Sequence, residues 1–437
     1  MAFRNLEEVF HYIESFTNLE KSGSLFNART YRLDRMTLLL ERFEQPQLSY
    51  RTIHIAGTKG KGSTATLLAH GLHAAGVRTG LYTSPHVSNY MERMEVLGHA
   101  PQVSTVLHLA DQIRGVVEEL PQDTLKAMGP PNTFELLTLL AFCYFRETGC
   151  RYVVVETGIG GRLDATNLVN PELCLITPIE LEHTDVLGDT LQAVAREKAG
   201  IFKAGKPVFS APQQPEVKNE LQQAAARAGC PIVFLDEQMR SFQARCSKEG
   251  TEVRFRLRDE QEVSYTLALI GEVQGENAAL AHLAVQTCLP SILPALAEGF
   301  SAARLPGRME VIRRNPAVVI DGAHTPRSVQ KVLDTFTELF GTEGVLLFAA
   351  AAGKKIAKMA EILAPAFKDV VVTTPGSFRE SNAAEVYRAF KDRNQATTLV
   401  VDTGQALAQA RNLAGTDRPL LVTGSFYLAG AVREILY

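Results

Sequence analysis

At 437 residues the chain is too long for one ordinary hydrophobic core, and two domains are expected. Hydrophobic residues make up 46%, charged residues 21%, and the formal net charge is −3. A globular, weakly acidic chain of this kind lacks the electrostatic footprint of a nucleic-acid or anionic-membrane binder.

Apolar spacing at Leu6, Val9, Phe10, Ile13 and Phe16, and again over Leu33–Phe43, predicts two helices ahead of the first strand. Thr52–Ala56 reads as a strand, closed by the turn Gly57-Thr58-Lys59-Gly60-Lys61-Gly62-Ser63, with a helix from about Lys61 to Ala75. Such a turn brings backbone N–H groups and a cation to a helix N-terminus, where polyphosphate binds. The strict G-x-x-x-x-G-K-[ST] loop needs glycine at position 55 and a hydroxyl at 62. Here those positions are Ile55 and Gly62, and the hydroxyl arrives one residue late at Ser63. A lone glycine turn can be purely structural. The two glycines flanking Lys61 favour phosphate, with Lys61 meeting the β- and γ-phosphates and Gly57, Gly60 and Gly62 admitting the backbone.

Phe134–Phe145 is apolar nearly all round and predicts a buried helix leading to the strand Tyr152–Glu156. That strand delivers Glu156 at its C-terminal end, where open α/β sheets bind ligands. A carboxylate there suits Mg²⁺, a hard cation that prefers oxygen; alternatively it only caps the loop. After a strand at Leu173–Pro178 comes Glu182-His183-Thr184, which sits beside Glu156 if the two strands are neighbours. A lone histidine in that position is more often structural than a ligand. A helix over Thr190–Phe202 carries Lys198, which by itself reads as a solvated surface lysine. A strand at Pro207–Ser210 and a helix ending at Gly229 follow. Alternation over Gln243–Leu269, around Gly250 and Asp259-Glu260, predicts an antiparallel meander at the sheet edge.

Ser291–Pro306 reads as a junction, dividing the chain into 1–296 and 297–437. Beyond it, strands are expected at Ala317–Ile320, Val345–Ala349, Val370–Thr373, Leu399–Asp402 and Leu420–Thr423. The fold class is therefore α/β: an N-terminal, mostly parallel sheet with helices on both faces, then a smaller Rossmann-like domain. Arg308 follows the junction, and Asp321 and His324 end a strand of the second domain. A nucleotide clamped between the domains accounts for charged groups on both. The six cysteines form no CxxC pair; most sit in apolar runs and read as buried free thiols, as in a reducing cytoplasm. No leader pattern and no run of about 18 apolar residues argues for a membrane.

The ordered motifs GTKGKGS (57–63), YTSPH (82–86) with Glu92-Arg93, VVVETGIGGRLDATN (153–167), EHT (182–184), EKAGI (197–201), LPGRME (305–310), DGAHTP (321–326) and TGSFYLAG (423–430) resemble the Mur ligase superfamily. Within it, the chain is similar over nearly its whole length to the folylpolyglutamate synthase/dihydrofolate synthase family. The resemblance implies an ATP-dependent ligase that adds L-glutamate to a folate carboxylate through an acyl phosphate, with tetrahydrofolate, dihydropteroate or both as acceptor. By the same resemblance, Gly57, Thr58, Gly60, Lys61, Gly62, Ser63, Asn277, Arg308 and Asp321 contact ATP. Ser84 and Glu156 match ligands of a first Mg²⁺ and His183 of a second. Lys198 falls where the family carries a carbamylated lysine ligand. Thr133, Phe134 and Glu135, with Leu163, Asp164 and Ala165, match the pterin-side pocket, and Thr30–Leu33 does so less clearly. Lys61, Lys198, Arg308 and His324 are the implied catalytic groups, in a monomeric cytoplasmic enzyme.

The chain departs from the family pattern at Lys59 and Thr325, where asparagine is common, and at Ala351–Lys355, which lacks the usual acidic residues. Arg32 adds charge in the pterin-side segment. Cell-wall Mur ligases are the nearest rival, but 56 residues before Gly57 are too few for their UDP-sugar domain. A non-catalytic nucleotide-binding paralogue is the other reading; Ser84, Glu156, His183 and Lys198 together argue against it.

Overall fold

The computed structural model describes residues 2–18, 31–258, 262–376 and 381–437. Thr30 and the Asp259-Glu260 turn, both named above, lie outside them. In the first unit seven strands form one sheet: β1 (Arg51–Ala56), β2 (Thr79–Tyr82), β3 (Met94–Val96), β4 (Tyr152–Glu156), β5 (Leu173–Ile176), β6 (Val208–Ser210) and β7 (Ile232–Phe234). Their order is β3-β2-β4-β1-β5-β6-β7, parallel throughout except for β3.

Both faces of this sheet are covered, so the inner strands β4 and β5 are apolar almost throughout, and even Thr52 and His54 of β1 are buried. Val153 and Val155 of β4 join a cluster with the helix Thr133–Glu147, while Val154 joins the opposite cluster with Lys61–Ala74 and Glu272–Cys288. The helix Thr133–Glu147 starts at Asn132 through a capping box: the Asn132 side chain accepts from Glu135 N–H, and Glu135 accepts from Asn132 N–H.

Two expectations fail here. β4 and β5 are not neighbours, because β1 lies between them, so strand pairing does not set His183 beside Glu156. The meander does not extend the edge of the main sheet either. Its strands β8 (Met239–Cys246), β9 (Thr251–Leu257) and β10 (Val263–Leu267) form a separate antiparallel sheet. The alternation itself is the cause. β9 buries every second residue (Thr251, Val253, Phe255, Leu257), leaving one apolar face to pack on another element. That element is the helix Glu272–Cys288, which approaches closely at Gly275: a Cβ there would sit 3.0 Å from Val253.

The helix Leu296–Ala302, inside the expected junction, packs on Lys61–Ala74 through two glycines. A Cβ on Gly299 would lie 2.6 Å from the backbone of Gly71. Gly299→Ala is therefore expected to destabilise the fold by about 1–3 kcal/mol through forced separation of the helices. A lowered denaturant midpoint checks this, and an unchanged midpoint refutes it.

The second unit holds β11 (Glu310–Arg314), β12 (Ala317–Ile320), β13 (Val345–Phe348), β14 (Asp369–Val372), β15 (Thr397–Leu399) and β16 (Leu420–Thr423). Their order is β11-β12-β16-β13-β14-β15, with only β11 antiparallel. The strand expected at Leu399–Asp402 forms earlier, since Asp402 instead caps the next helix by accepting from Gln405 N–H at 2.8 Å. Among the described residues, no helix is long and apolar enough to cross a membrane.

Candidate active site

The C-terminal ends of β1, β2, β4 and β5 converge on one edge of the first sheet, the position at which such sheets bind ligands. β1 runs into the glycine turn, and Lys61–Ala74, 14 residues long, begins at Lys61 with Gly60 at φ +88° as its cap. Each glycine is there for room. A Cβ on Gly57 would fall 1.9 Å from Thr177 Oγ1, and one on Gly60 would fall 2.7 Å from Asn277 Oδ1. The amides of Thr58 and Lys59 both donate to Pro178 O, and the Lys59 ammonium pairs with Glu182 at 3.3 Å. The amides at the head of the helix and the Lys61 ammonium thus share one concave turn, the arrangement that takes a polyphosphate.

Glu156 is the centre of the site. It is buried; one oxygen lies 3.8 Å from Lys61 Nζ and the other accepts from Ser84 N–H at 3.1 Å. Burial pushes its carboxyl pKa up, and Lys61 is the strongest opposing influence.

The surface reading of Lys198 is wrong. Its residue is 4% exposed, and Nζ donates to Gly57 O at 2.7 Å. Dehydration, then the charge of Lys61, bring its pKa down to about 7. The helix Leu191–Lys198 ends inside the protein, with Val194, Ala195 and Lys198 on its buried face. Spacings of three and four from two apolar residues were the signal for that burial. His183 heads the turn Thr184–Leu187 in left-handed backbone (φ +51°) and is exposed. Its pKa lies below the ordinary value, first from local dehydration and then from Lys198, Lys61 and Lys354; Glu182 opposes them. His183 thus shares the electrostatic neighbourhood of Lys198 and Lys61 without strand adjacency.

Among the described residues there is no group of three or more His, Cys, Asp or Glu able to cage a metal. That donor set still fits Mg²⁺, which takes one or two carboxylates and fills the rest of its shell with water and phosphate oxygens. Glu156 and the Ser84 hydroxyl could hold such an ion. Lys198 as an ammonium could not, whereas a carbamate on the same nitrogen would carry the required oxygens.

The second unit supplies the opposite wall. Arg308 lies over the Phe426 ring, 4.1 Å from its centroid. Dehydration lowers its pKa, against the charges of Asp321 and of Glu156 in the first unit. The Asp321 carboxylate accepts from Met309 N–H at 2.8 Å and Ala323 N–H at 2.7 Å, shaping the turn that presents Arg308. His324 Nδ1 lies 2.9 Å from Gly322 O; dehydration first, and then Lys354, bring its pKa down to about 4. Lys354, which sequence reading did not single out as a site residue, therefore acts on histidines of both units. Phe426, also missed, had no signal beyond its motif.

The residues that the resemblance sets on the pterin side divide by their contacts. Glu135 forms a buried ion pair with Arg35 at 2.8 Å besides capping its helix, and Thr133 Oγ1 donates to the carbonyls of Ile13 and Phe16. Asp164 accepts from Ile159 N–H, Thr166 N–H and Thr166 Oγ1. These three hold neighbouring backbone and side chains in place. Phe134 faces the glycine loop, where a Cβ on Gly158 would lie 2.6 Å from its ring. Ala165 is buried and starts a short turn, while Leu163 is half-buried beside it. Tyr31 Oη donates to Ile159 O at 2.7 Å, tying the segment before Asp34–Arg42 to the same loop. Arg32 pairs with Asp34.

Comparison with known proteins matches residues 55–285 to the Mur ligase middle domain and residues 307–426 to the Mur ligase glutamate ligase domain. The folylpolyglutamate synthase of Lacticaseibacillus casei is 33% identical over 439 aligned residues, covering 99% of each chain. The dihydrofolate synthase/folylpolyglutamate synthase of Bacillus subtilis is 32% identical, covering 92% of this chain and 94% of its own. A solved structure described as an FPGS–AMPPCP–folate complex superposes with a TM-score of 0.80 at 30% identity, covering 99% of this chain and 100% of that one.

Proposed function

Because the chain belongs to the Mur ligase family, in its folylpolyglutamate synthase/dihydrofolate synthase branch, we propose that it joins L-glutamate to a folate carboxylate at the expense of ATP. The observation that carries this reading is the convergence of Lys61, Glu156 and Lys198 from one unit with Arg308 and His324 from the other.

A carboxylate is a poor electrophile. Its oxygen attacks the γ-phosphorus of ATP and ADP leaves; the glutamate amine then attacks the acyl carbon of the resulting acyl phosphate, phosphate leaves, and the nitrogen gives up a proton to become the amide. Lys61 and the helix-head amides offset charge on the transferring phosphoryl group. Arg308 approaches the same charge from the second unit, and its stacking on Phe426 fixes the plane of the guanidinium. His324, kept neutral, presents an imidazole to the incoming amine without adding charge. Closing the two units over the site excludes water, which would otherwise hydrolyse the acyl phosphate.

Two Mg²⁺ ions, when bound, supply Lewis-acid stabilisation of the phosphate oxygens. Ser84 and Glu156 are our choice of ligands for one. His183 and a carbamylated Lys198 are our choice for the other, supported by the burial and lowered basicity of the Lys198 amine, since only a neutral amine takes up CO₂. Gly57, Thr58, Gly60, Gly62, Ser63, Asn277 and Asp321 complete the nucleotide site in this reading. The loop 158–165 and Phe134 form the folate side. We place the division between the ATP domain and the glutamate-ligase domain after Ala303, since Leu296, Phe300 and Ala303 all belong to the first core. The six free cysteines fit a reducing cytoplasm.

Phosphate release with ATP, Mg²⁺ and L-glutamate tests the reading. It is expected to rise when tetrahydrofolate or dihydropteroate is added, and the two run in parallel assign the acceptor. No stimulation by either refutes a folate ligase.

A further inference from the structure

The loop after β2 and the turn carrying Arg308 belong to different units, and each is shaped by its own carboxylate. Glu92 accepts from Val87 N–H at 2.7 Å and from Ser88 N–H at 3.1 Å, folding the loop that starts at Ser84. Glu310 accepts from Gly307 N–H at 2.8 Å, one residue before Arg308. Arg433, on the last helix Phe426–Leu436, reaches both: Nη1 lies 3.2 Å from Glu92 and 3.3 Å from Ser88 Oγ, and Nε lies 3.0 Å from Glu310. Around this guanidinium the backbones meet directly. A Cβ on Gly430 would fall 2.0 Å from Val87 O, and one on Gly307 would fall 3.3 Å from the Val87 side chain.

We propose that Arg433 is a positioning residue that fixes the relative placement of the Ser84 loop and the Arg308 turn across the nucleotide site. Partly exposed ion pairs add little to folding stability, and the three side chains retain 23%, 19% and 18% exposure. Each carboxylate also keeps its own backbone partners without Arg433. What the guanidinium adds, beside the packing of Val87 on Gly430 and Gly307, is a charged connection from one carboxylate to the other. A bidentate-capable fork suits that task better than a point charge.

The kinetic readout rests on the ligase reading above; the scattering readout does not. In full-length Arg433→Met, kcat is expected to fall about 10- to 100-fold, the effect of misplacing reacting groups by about 1 Å. ADP affinity and thermal midpoint should stay near wild type, because the glycine turn and both cores are untouched. Arg433→Lys should recover part of the loss. Adding Glu92→Gln to Arg433→Met should cost little beyond either change alone, since one connection is broken once. Small-angle scattering of the unliganded chain should show a larger radius of gyration for Arg433→Met. A kcat within about twofold of wild type overturns the proposal, as does parallel loss of ADP binding and folding. If the wild-type chain turns over no folate, that reading fails by itself, and unchanged scattering in Arg433→Met is then the result that overturns this one.

Discussion

Lys61→Met is expected to lower glutamate- and folate-dependent ATP turnover by about 10³-fold or more, the scale on which removal of a cation from a transferring phosphoryl group is felt. Lys61 stands at the first position of its helix and 3.8 Å from the buried carboxylate of Glu156. The amides at the helix head survive the substitution, so ADP still binds, more weakly, and the larger loss falls on kcat. Glu156 also loses the strongest charge opposing its burial. Its carboxyl pKa rises further, so the acid-side decline of residual activity sets in at a higher pH than in wild type. Steady-state phosphate release from pH 6 to 8, with ADP titration in parallel, measures both effects. A variant keeping more than about a tenth of wild-type kcat would show that Lys61 serves binding alone.

Lys198→Met should separate activity from stability, abolishing turnover by about 10²-fold or more while making the fold more resistant to heat near pH 6. The unfolded amine keeps its proton up to about 10.5, whereas the folded one releases it near 7. Between those values folding expels a proton, so the stability of the unmodified wild type falls as pH drops from 10.5 toward 7. Below 7 the full cost of a buried ammonium is present, and methionine removes it. The gap between variant and wild-type midpoints in CO₂-depleted buffer should therefore be widest at pH 6 and close toward pH 10. Bicarbonate should raise wild-type activity and leave the variant unchanged, with a carbamate carbon visible by ¹³C NMR after labelled bicarbonate is added. Full activity in Lys198→Met would remove this residue from the mechanism.

The sequence revealed the parts buried on all sides. Tyr152–Glu156 and the helix near Phe134–Phe145 are continuous apolar runs because sheet and helices cover them, and such runs need no partner to be recognised. Strand order was not legible: nothing in Thr52–Ala56 says that it lies between β4 and β5, so the route bringing His183 to the site was misjudged. Residue type misled at Lys198, where helical spacing pointed inward but lysine suggested water. The resemblance, not residue type, sets Glu135 and Asp164 on the folate side, and their bonds to backbone and to neighbouring side chains have no local pattern in the sequence. The link from Arg433 to Ser88, 345 residues apart, is tertiary and has no local pattern.

Gly161 and Gly200 sit where the loop 158–165 meets the end of the Lys198 helix. A Cβ on Gly161 would lie 2.8 Å from the carbonyl oxygens of Glu197 and Lys198, one on Gly200 would lie 2.4 Å from the Arg162 backbone, and Arg162 N–H donates to Glu197 O at 2.8 Å. The two segments are seamed main chain to main chain. If, as proposed, Lys198 stands at the reaction centre and 158–165 on the folate side, diversity introduced into that loop in search of a new acceptor acid also displaces the lysine, and turnover is lost before preference changes. On the same reading, variation is better begun at Phe134 and Tyr31, which meet the loop through their side chains rather than along this seam.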